Sequence, residues 1–236
     1  MKKTKKKVRI TGIIFLILFI YLLAMIVYYF IKLPIKNINI HGNNLLNEEE
    51  IIKNADINYN DSIFKISINK VSKNIKNIPL VKNVKIKRYL NGTIDIDITE
   101  NRILFYNVLT KKLVLSDGSE MNSSSEYLGY PTLVNYVPKN IYDNLIKSLS
   151  KVDESNYQMI SEIEYSIDKY EDKVIDDERF LLRMKDGNTV YVNLINIEKL
   201  NKYQEIYAVV NEKGILYLDS SSKNYIFKKY GEKESK

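Results

Sequence analysis

The chain has 236 residues and a formal charge of +7, with one His, no Cys and no Trp. Without Cys there is no disulfide stapling, no thiol chemistry and no thiolate metal site. Seven of the 36 basic residues and none of the acids lie in residues 1–32, so residues 33–236 are formally neutral, and no basic face is left to argue for a nucleic-acid partner.

The first element is an uncharged run of 22 residues, Ile10 to Ile31. As a helix it reaches roughly 33 Å, enough to cross a hydrocarbon core of about 30 Å. Residues 1–9 carry six positive charges and no acid, which by the positive-inside rule puts this basic tail in the cytoplasm and the chain after Ile31 outside. Tyr28, Tyr29 and Phe30 fit an interfacial aromatic belt. A cleaved signal peptide is the competing reading. Its apolar region would be about 7–15 residues and would end on small residues; the segment Tyr28 to Lys32 has none.

Residues 35–102 form a compact pattern. Ile35–Ile40 alternates apolar and polar residues, as a half-buried strand does. Asn47 stands three before Glu50, a capping-box spacing that opens a helix over Glu48–Asn54. Ile63, Phe64 and Ile66 are expected as buried anchors. Ile68, Val71, Ile75 and Ile78 share one face of a second helix, which Pro79 stops. Strands over Val81–Arg88 and Ile94–Ile98 flank Asn91-Gly92, a hairpin signal. The order is strand, helix, helix, strand, strand.

Residues 103–230 read as a larger mixed domain of mostly antiparallel sheet. Strands are expected at Ile103–Tyr106, Leu113–Leu115, Ile160–Ile167, Arg179–Lys185 and Thr189–Leu194, with Asp186-Gly187-Asn188 turning the last two. Ile141–Leu149 and Ile197–Val210 read as helices. Ser119–Tyr127 and the acid-rich 168–178 read as polar loops. Gly214–Leu218 and Tyr225–Lys229 close the domain, and 231–236 is a polar tail. The fold class is α+β.

Catalytic chemistry finds little to work with. His41 lies beside a turn glycine, and a Ser-His-Asp arrangement would have to use it. Phosphate-cradling glycine loops and H-E-x-x-H are absent from the sequence. Glu48–Glu50 are explained by a helix start, and the acids of 168–178 lack calcium-loop spacing. The reading is a protein that is not an enzyme and carries no cofactor or metal. Tyr occurs 19 times, and the aromatic-rich strand 225–229 would, at a sheet edge, offer backbone groups that another chain can extend.

The layout resembles the FtsQ/DivIB family of bacterial cell-division proteins, whose first extracytoplasmic module is a POTRA domain. The resemblance is carried by Ile38-x-Ile40-x-Gly42-Asn43 with Glu49-Glu50-Ile51, by Ser62-Ile63-Phe64-x-Ile66, and by Pro79-Leu80-Val81-x-x-Val84-x-Ile86-x-Arg88. Ile94-x-Ile96-x-Ile98-x-Glu100-x-Arg102 follows, then Leu115-x-Asp117-Gly118, Tyr130-Pro131 and Lys185-Asp186-Gly187. The family's usual Pro after the Arg-aromatic pair is absent, with Leu90-Asn91-Gly92 in its place.

This resemblance implies a non-enzymatic, single-pass scaffold of the divisome at the septum. Its implied partners are small coiled-coil proteins of the FtsB/DivIC and FtsL kinds, and through them the septal peptidoglycan synthase. It also implies that the last strands of the second domain make the main contact, by strand addition. The candidates are Tyr217, Leu218, Tyr225, Ile226, Phe227 and Lys228, with Arg179 from the strand start beside them. Two alternatives stand against it. One is a POTRA-bearing membrane protein that assists polypeptide export or assembly. The other is an extracellular hydrolase using Asp176 or Asp177.

Overall fold

The structure, a computed structural model, describes residues 10–124, 127–220 and 225–231. The basic tail 1–9, all but Gly231 of the polar tail, and part of the connection before Tyr225 lie outside the described residues. The chain divides into two compact units, residues 1–100 and 101–236. The architecture is α+β: an N-terminal apolar helix, a small β-α-α-β-β domain and a larger sheet-rich domain.

In the first unit, α1 is Ile10–Ile31, uncharged and buried nowhere along its length. Next come β1 (Asn37–His41), α2 (Glu48–Ala55), α3 (Ile68–Lys76), β2 (Val81–Arg88) and β3 (Thr93–Glu100). The Asn47 side chain accepts the Glu49 amide at 2.9 Å to cap α2, and Ser67 caps α3. Strand order is β1-β3-β2, with β3 parallel to β1 and antiparallel to β2. Ile94, Ile96 and Ile98 point to one face of β3, where they are buried with Ile51, Val71 and Ile75 of the two helices. Gly42 has φ +81, and a Cβ there would lie 2.1 Å from the Ile98 carbonyl oxygen. β1 can approach β3 this closely only with glycine at its end.

Phe64 departs from the expected buried anchor. Ile63 is buried, but Phe64 is 38% exposed. Its ring meets Phe30 at the end of α1 edge to face, centroids 6.1 Å apart, so it serves the helix exit rather than the core.

The second unit comprises β4 (Ile103–Asn107), β5 (Lys112–Leu115), β6 (Glu120–Asn122), β7 (Thr132–Leu133), α4 (Lys139–Leu149), α5 (Glu154–Tyr157) and β8 (Ile160–Tyr165). It continues with β9 (Asp168–Tyr170), β10 (Lys173–Asp176), β11 (Arg179–Met184) and β12 (Thr189–Asn193). A 3₁₀ helix (Leu194–Lys202), α6 (Tyr203–Val210), β13 (Gly214–Tyr217) and β14 (Ile226–Lys229) complete it. Nine strands make one sheet, ordered β14-β13-β12-β11-β8-β7-β4-β5-β6. Five of its pairings are antiparallel and three parallel. Leu216, Val190, Leu182 and Ile163 form one row across the inner face, all buried, and α4 and the 3₁₀ helix contribute Leu145, Leu149, Ile197 and Leu200 to the same core.

Three expectations change here. The polar stretch after Gly118 contains the short strand β6. The acidic segment is not a loop: β9 and β10 pair antiparallel, with Glu171 turning at φ 55. The helix expected over 197–210 begins as a 3₁₀ helix and turns α only at Tyr203. Asn193 accepts the amide of Asn196 at 3.0 Å, and Ile197, Leu200 and Tyr203 are each three apart, the 3₁₀ period.

Candidate functional site

The candidate residues gather at one end of the nine-stranded sheet, where β14 is the terminal strand. β14 lies antiparallel to β13, with Tyr217 opposite Ile226, Leu216 opposite Phe227 and Ile215 opposite Lys228. Side chains therefore alternate. Phe227 turns inward and packs half-buried against the core, whereas Ile226 is 56% and Tyr225 42% exposed. Backbone direction alternates too. The Tyr230 amide donates to Lys213, so those of Lys228 and Ile226 face β13 and that of Phe227 faces out of the sheet.

On the outer face a ladder of charge and aromatic groups crosses four strands. Lys228 Nζ stands 5.6 Å from the Tyr217 ring centre. Tyr217 stacks on Tyr191 of β12 at 5.3 Å and 16°, and the Arg179 guanidinium lies 4.6 Å from the Tyr191 ring. Tyr191 is the member whose place sequence reasoning missed; its signal is the outward register it shares with Tyr217. Each cation–π contact at a solvent-accessible position is worth about 0.5–1 kcal/mol.

Arg179 is engaged on every side. Its Nη1 lies 3.2 Å from Asp168 and 3.7 Å from Asp219, and its Nε donates to the Ser166 carbonyl at 3.0 Å. It ties the β9–β10 ribbon to the end of β13. Burial pushes the Asp219 carboxyl above its ordinary value, a backbone hydrogen bond and Arg179 pull it down, and Asp168 and Asp176 add to the rise. Asp176 accepts from the Glu178 amide and from the Asn193 side chain at 2.9 and 2.8 Å, so its carboxylate is committed to holding the ribbon. Leu218 is wholly buried, its amide donating to the Tyr191 carbonyl at 2.8 Å.

Two further residues set the edge. Buried Asn188 accepts the Gly214 amide at 2.9 Å and donates to the Tyr203 hydroxyl at 2.9 Å, which fixes where β13 begins. Gly214 lets β14 close in, since a Cβ there would stand 2.2 Å from the Lys228 carbonyl oxygen. Beside Tyr225, Lys199, Lys202, Ile206, Val209 and Leu218 line a groove of about 300 Å³.

The family model for the FtsQ-type POTRA domain matches residues 33–101. Over 245 residues the chain is 29% identical to the cell division protein DivIB of Bacillus subtilis (strain 168), an alignment covering 99% of this chain and 89% of that protein. The chain carries an FtsQ-type POTRA domain and is similar to the DivIB proteins over nearly its whole length. Its DivIB relative from Brevibacillus brevis is 25% identical over 214 residues, covering 86% of this chain and 79% of the relative. The DivIB of Clostridium acetobutylicum is 39% identical over a shorter 79 residues. Among solved structures, the major extracytoplasmic domain of the trans isomer of DivIB from Geobacillus stearothermophilus matches at 20% identity and a TM-score of 0.37, covering 48% of this chain and 96% of that one. These relatives are named as cell division proteins, which supports a role in cell division.

Proposed function

We propose that this protein is a non-enzymatic, single-pass scaffold of the divisome, whose β14 edge receives an added strand from an FtsB/DivIC-like partner. Helix α1 spans the membrane, with residues 1–9 in the cytoplasm and the modules 35–102 and 103–230 outside, as the positive-inside rule favours. An FtsL-like protein joins the same assembly, through which the scaffold helps to recruit or regulate septal peptidoglycan synthesis.

The observation that carries this reading is the position of β14: terminal in its sheet, with exposed Tyr225 and Ile226 beside the outward-facing backbone of Phe227. A terminal strand is a template for another chain. Tyr217 and Lys228 supply an outer face on which the added strand's side chains can rest, and Arg179 holds that face in place. Leu218 and Phe227 act from the core side.

Co-purification of the full chain from detergent-solubilised membranes tests this. With the native chain, a single-pass coiled-coil partner is recovered. Ile226→Asp, at an exposed outer position, removes that partner while the melting temperature stays within about 2 °C, because surface substitutions usually cost under about 0.5 kcal/mol. Full recovery with Ile226→Asp contradicts the proposed edge.

A further inference from the structure

Where α1 ends, the POTRA domain closes around the exit. The Ser62 hydroxyl donates to the Ile31 carbonyl, Phe64 meets Phe30, and the Ile35 amide donates to the Asp61 carbonyl at 3.0 Å. On the other side the β2–β3 turn is attached: the Lys36 amide donates to the Gly92 carbonyl at 2.8 Å. Gly92 is so close that a Cβ would lie 2.8 Å from the Pro34 carbonyl oxygen. Two loops, 59–66 and 89–92, therefore flank the five residues that follow the helix.

Both loops carry apolar side chains with no place in the core. Leu90 is 67% exposed, Tyr59 51% and Phe64 38%. Lys32, Lys36 and Lys65 are exposed around them, and Lys32 Nζ lies 4.6 Å from the Tyr28 ring centre. Aromatic and aliphatic tips ringed by lysines are what an interface of headgroups and acyl chains accommodates. Five residues span at most about 18 Å, so these tips cannot stand far from the end of the helix.

We infer that the POTRA domain rests on the bilayer, with Leu90, Tyr59 and Phe64 inserted at the headgroup–acyl boundary. The domain then has a fixed seat on the lipid surface instead of swinging on a linker. This rests on the reading of α1 as a membrane span.

The chain has no Trp, so a single introduced Trp is an unambiguous reporter. The full chain is reconstituted in phosphatidylcholine/phosphatidylglycerol vesicles with brominated acyl chains, as Leu90→Trp, Phe19→Trp or Leu45→Trp. Leu45 is 41% exposed at the far end of β3, its amide bonded to the Glu100 carboxylate at 3.0 Å. The expected result is strong quenching of Phe19→Trp, at least twofold quenching of Leu90→Trp, and none of Leu45→Trp. Quenching of Phe19→Trp alone overturns the lipid seat and leaves the span standing. An unquenched Phe19→Trp overturns both.

Discussion

The last described strands of the two units are placed oppositely in their sheets. β3 lies in the middle of its sheet, with β1 on one side and β2 on the other, and its Ile94, Ile96 and Ile98 are buried. Asp95 and Asp97 stand opposite Lys87 and Lys85 of β2, cross-strand pairs of opposite charge. β14 pairs with β13 alone among the described strands and buries only part of Phe227. A central strand is over-determined by its neighbours, whereas a terminal strand keeps one side for another chain. Two other edges are blunted more fully than β14, whose two lysines, Lys228 and Lys229, stand together at its C-terminal end. β2 carries Lys82, Lys85, Lys87 and Arg88, and β6 is three residues long. Lysines and brevity are the devices that blunt an edge.

A matched pair of glycines offers the sharpest way to break this comparison. Gly42 and Gly214 each let a backbone carbonyl come within about 2 Å of where a Cβ would sit. Gly42→Ala presses on β3, which has no room to move, at a φ of +81 that alanine resists. It should cost about 2–4 kcal/mol, read as faster hydrogen exchange at the Ile96 and Ile98 amides. Gly214→Ala presses on β14, which has one neighbour and can lift away. The cost should be nearer about 1–2 kcal/mol, with exchange in β11 and β12 unchanged and partner recovery reduced at least tenfold. Equal effects of the two would erase the distinction between a central and a terminal strand.

Comparable to Gly214→Ala in stability is Arg179→Met, which should cost about 1–2 kcal/mol by releasing Asp168, Asp219 and the Ser166 carbonyl. The deficit depends on pH. Burial already raises the Asp219 carboxyl and Arg179 opposes that rise, so the variant moves it further up. A carboxyl raised in the folded state binds its proton more tightly there than in the unfolded chain, so its ionisation costs stability as pH rises through the folded value. The variant's deficit is therefore largest at neutral pH and shrinks on acidification. Thermal melts of both proteins across that range measure it, and a deficit independent of pH would remove Asp219 from the explanation.

Much of the fold was legible because its signals are local. Strict alternation marked β3, Asp186-Gly187-Asn188 marked the turn between β11 and β12, Asn47 and Pro79 marked helix ends, and Asn91-Gly92 marked the first hairpin. β7 has two residues and β6 three, too few for a period to show. The β9–β10 ribbon is rich in acids that disfavour strands, and it forms because Arg179 and Asn193 bind Asp168 and Asp176. For the site, sequence marked which segment to watch but not how its residues divide. That Ile226 is open while Leu218 is sealed follows from register. That β14 is terminal follows from sheet order, in which β7 inserts between β4 and β8.

The most direct test of strand addition is hydrogen exchange at two adjacent amides, with and without the extracytoplasmic segment of an FtsB/DivIC-like partner. The amide of Ile226 faces β13 and that of Phe227 faces outward, so the partner should slow exchange at Phe227 at least tenfold and leave Ile226 nearly unchanged. A partner that binds without slowing Phe227 would contradict the account.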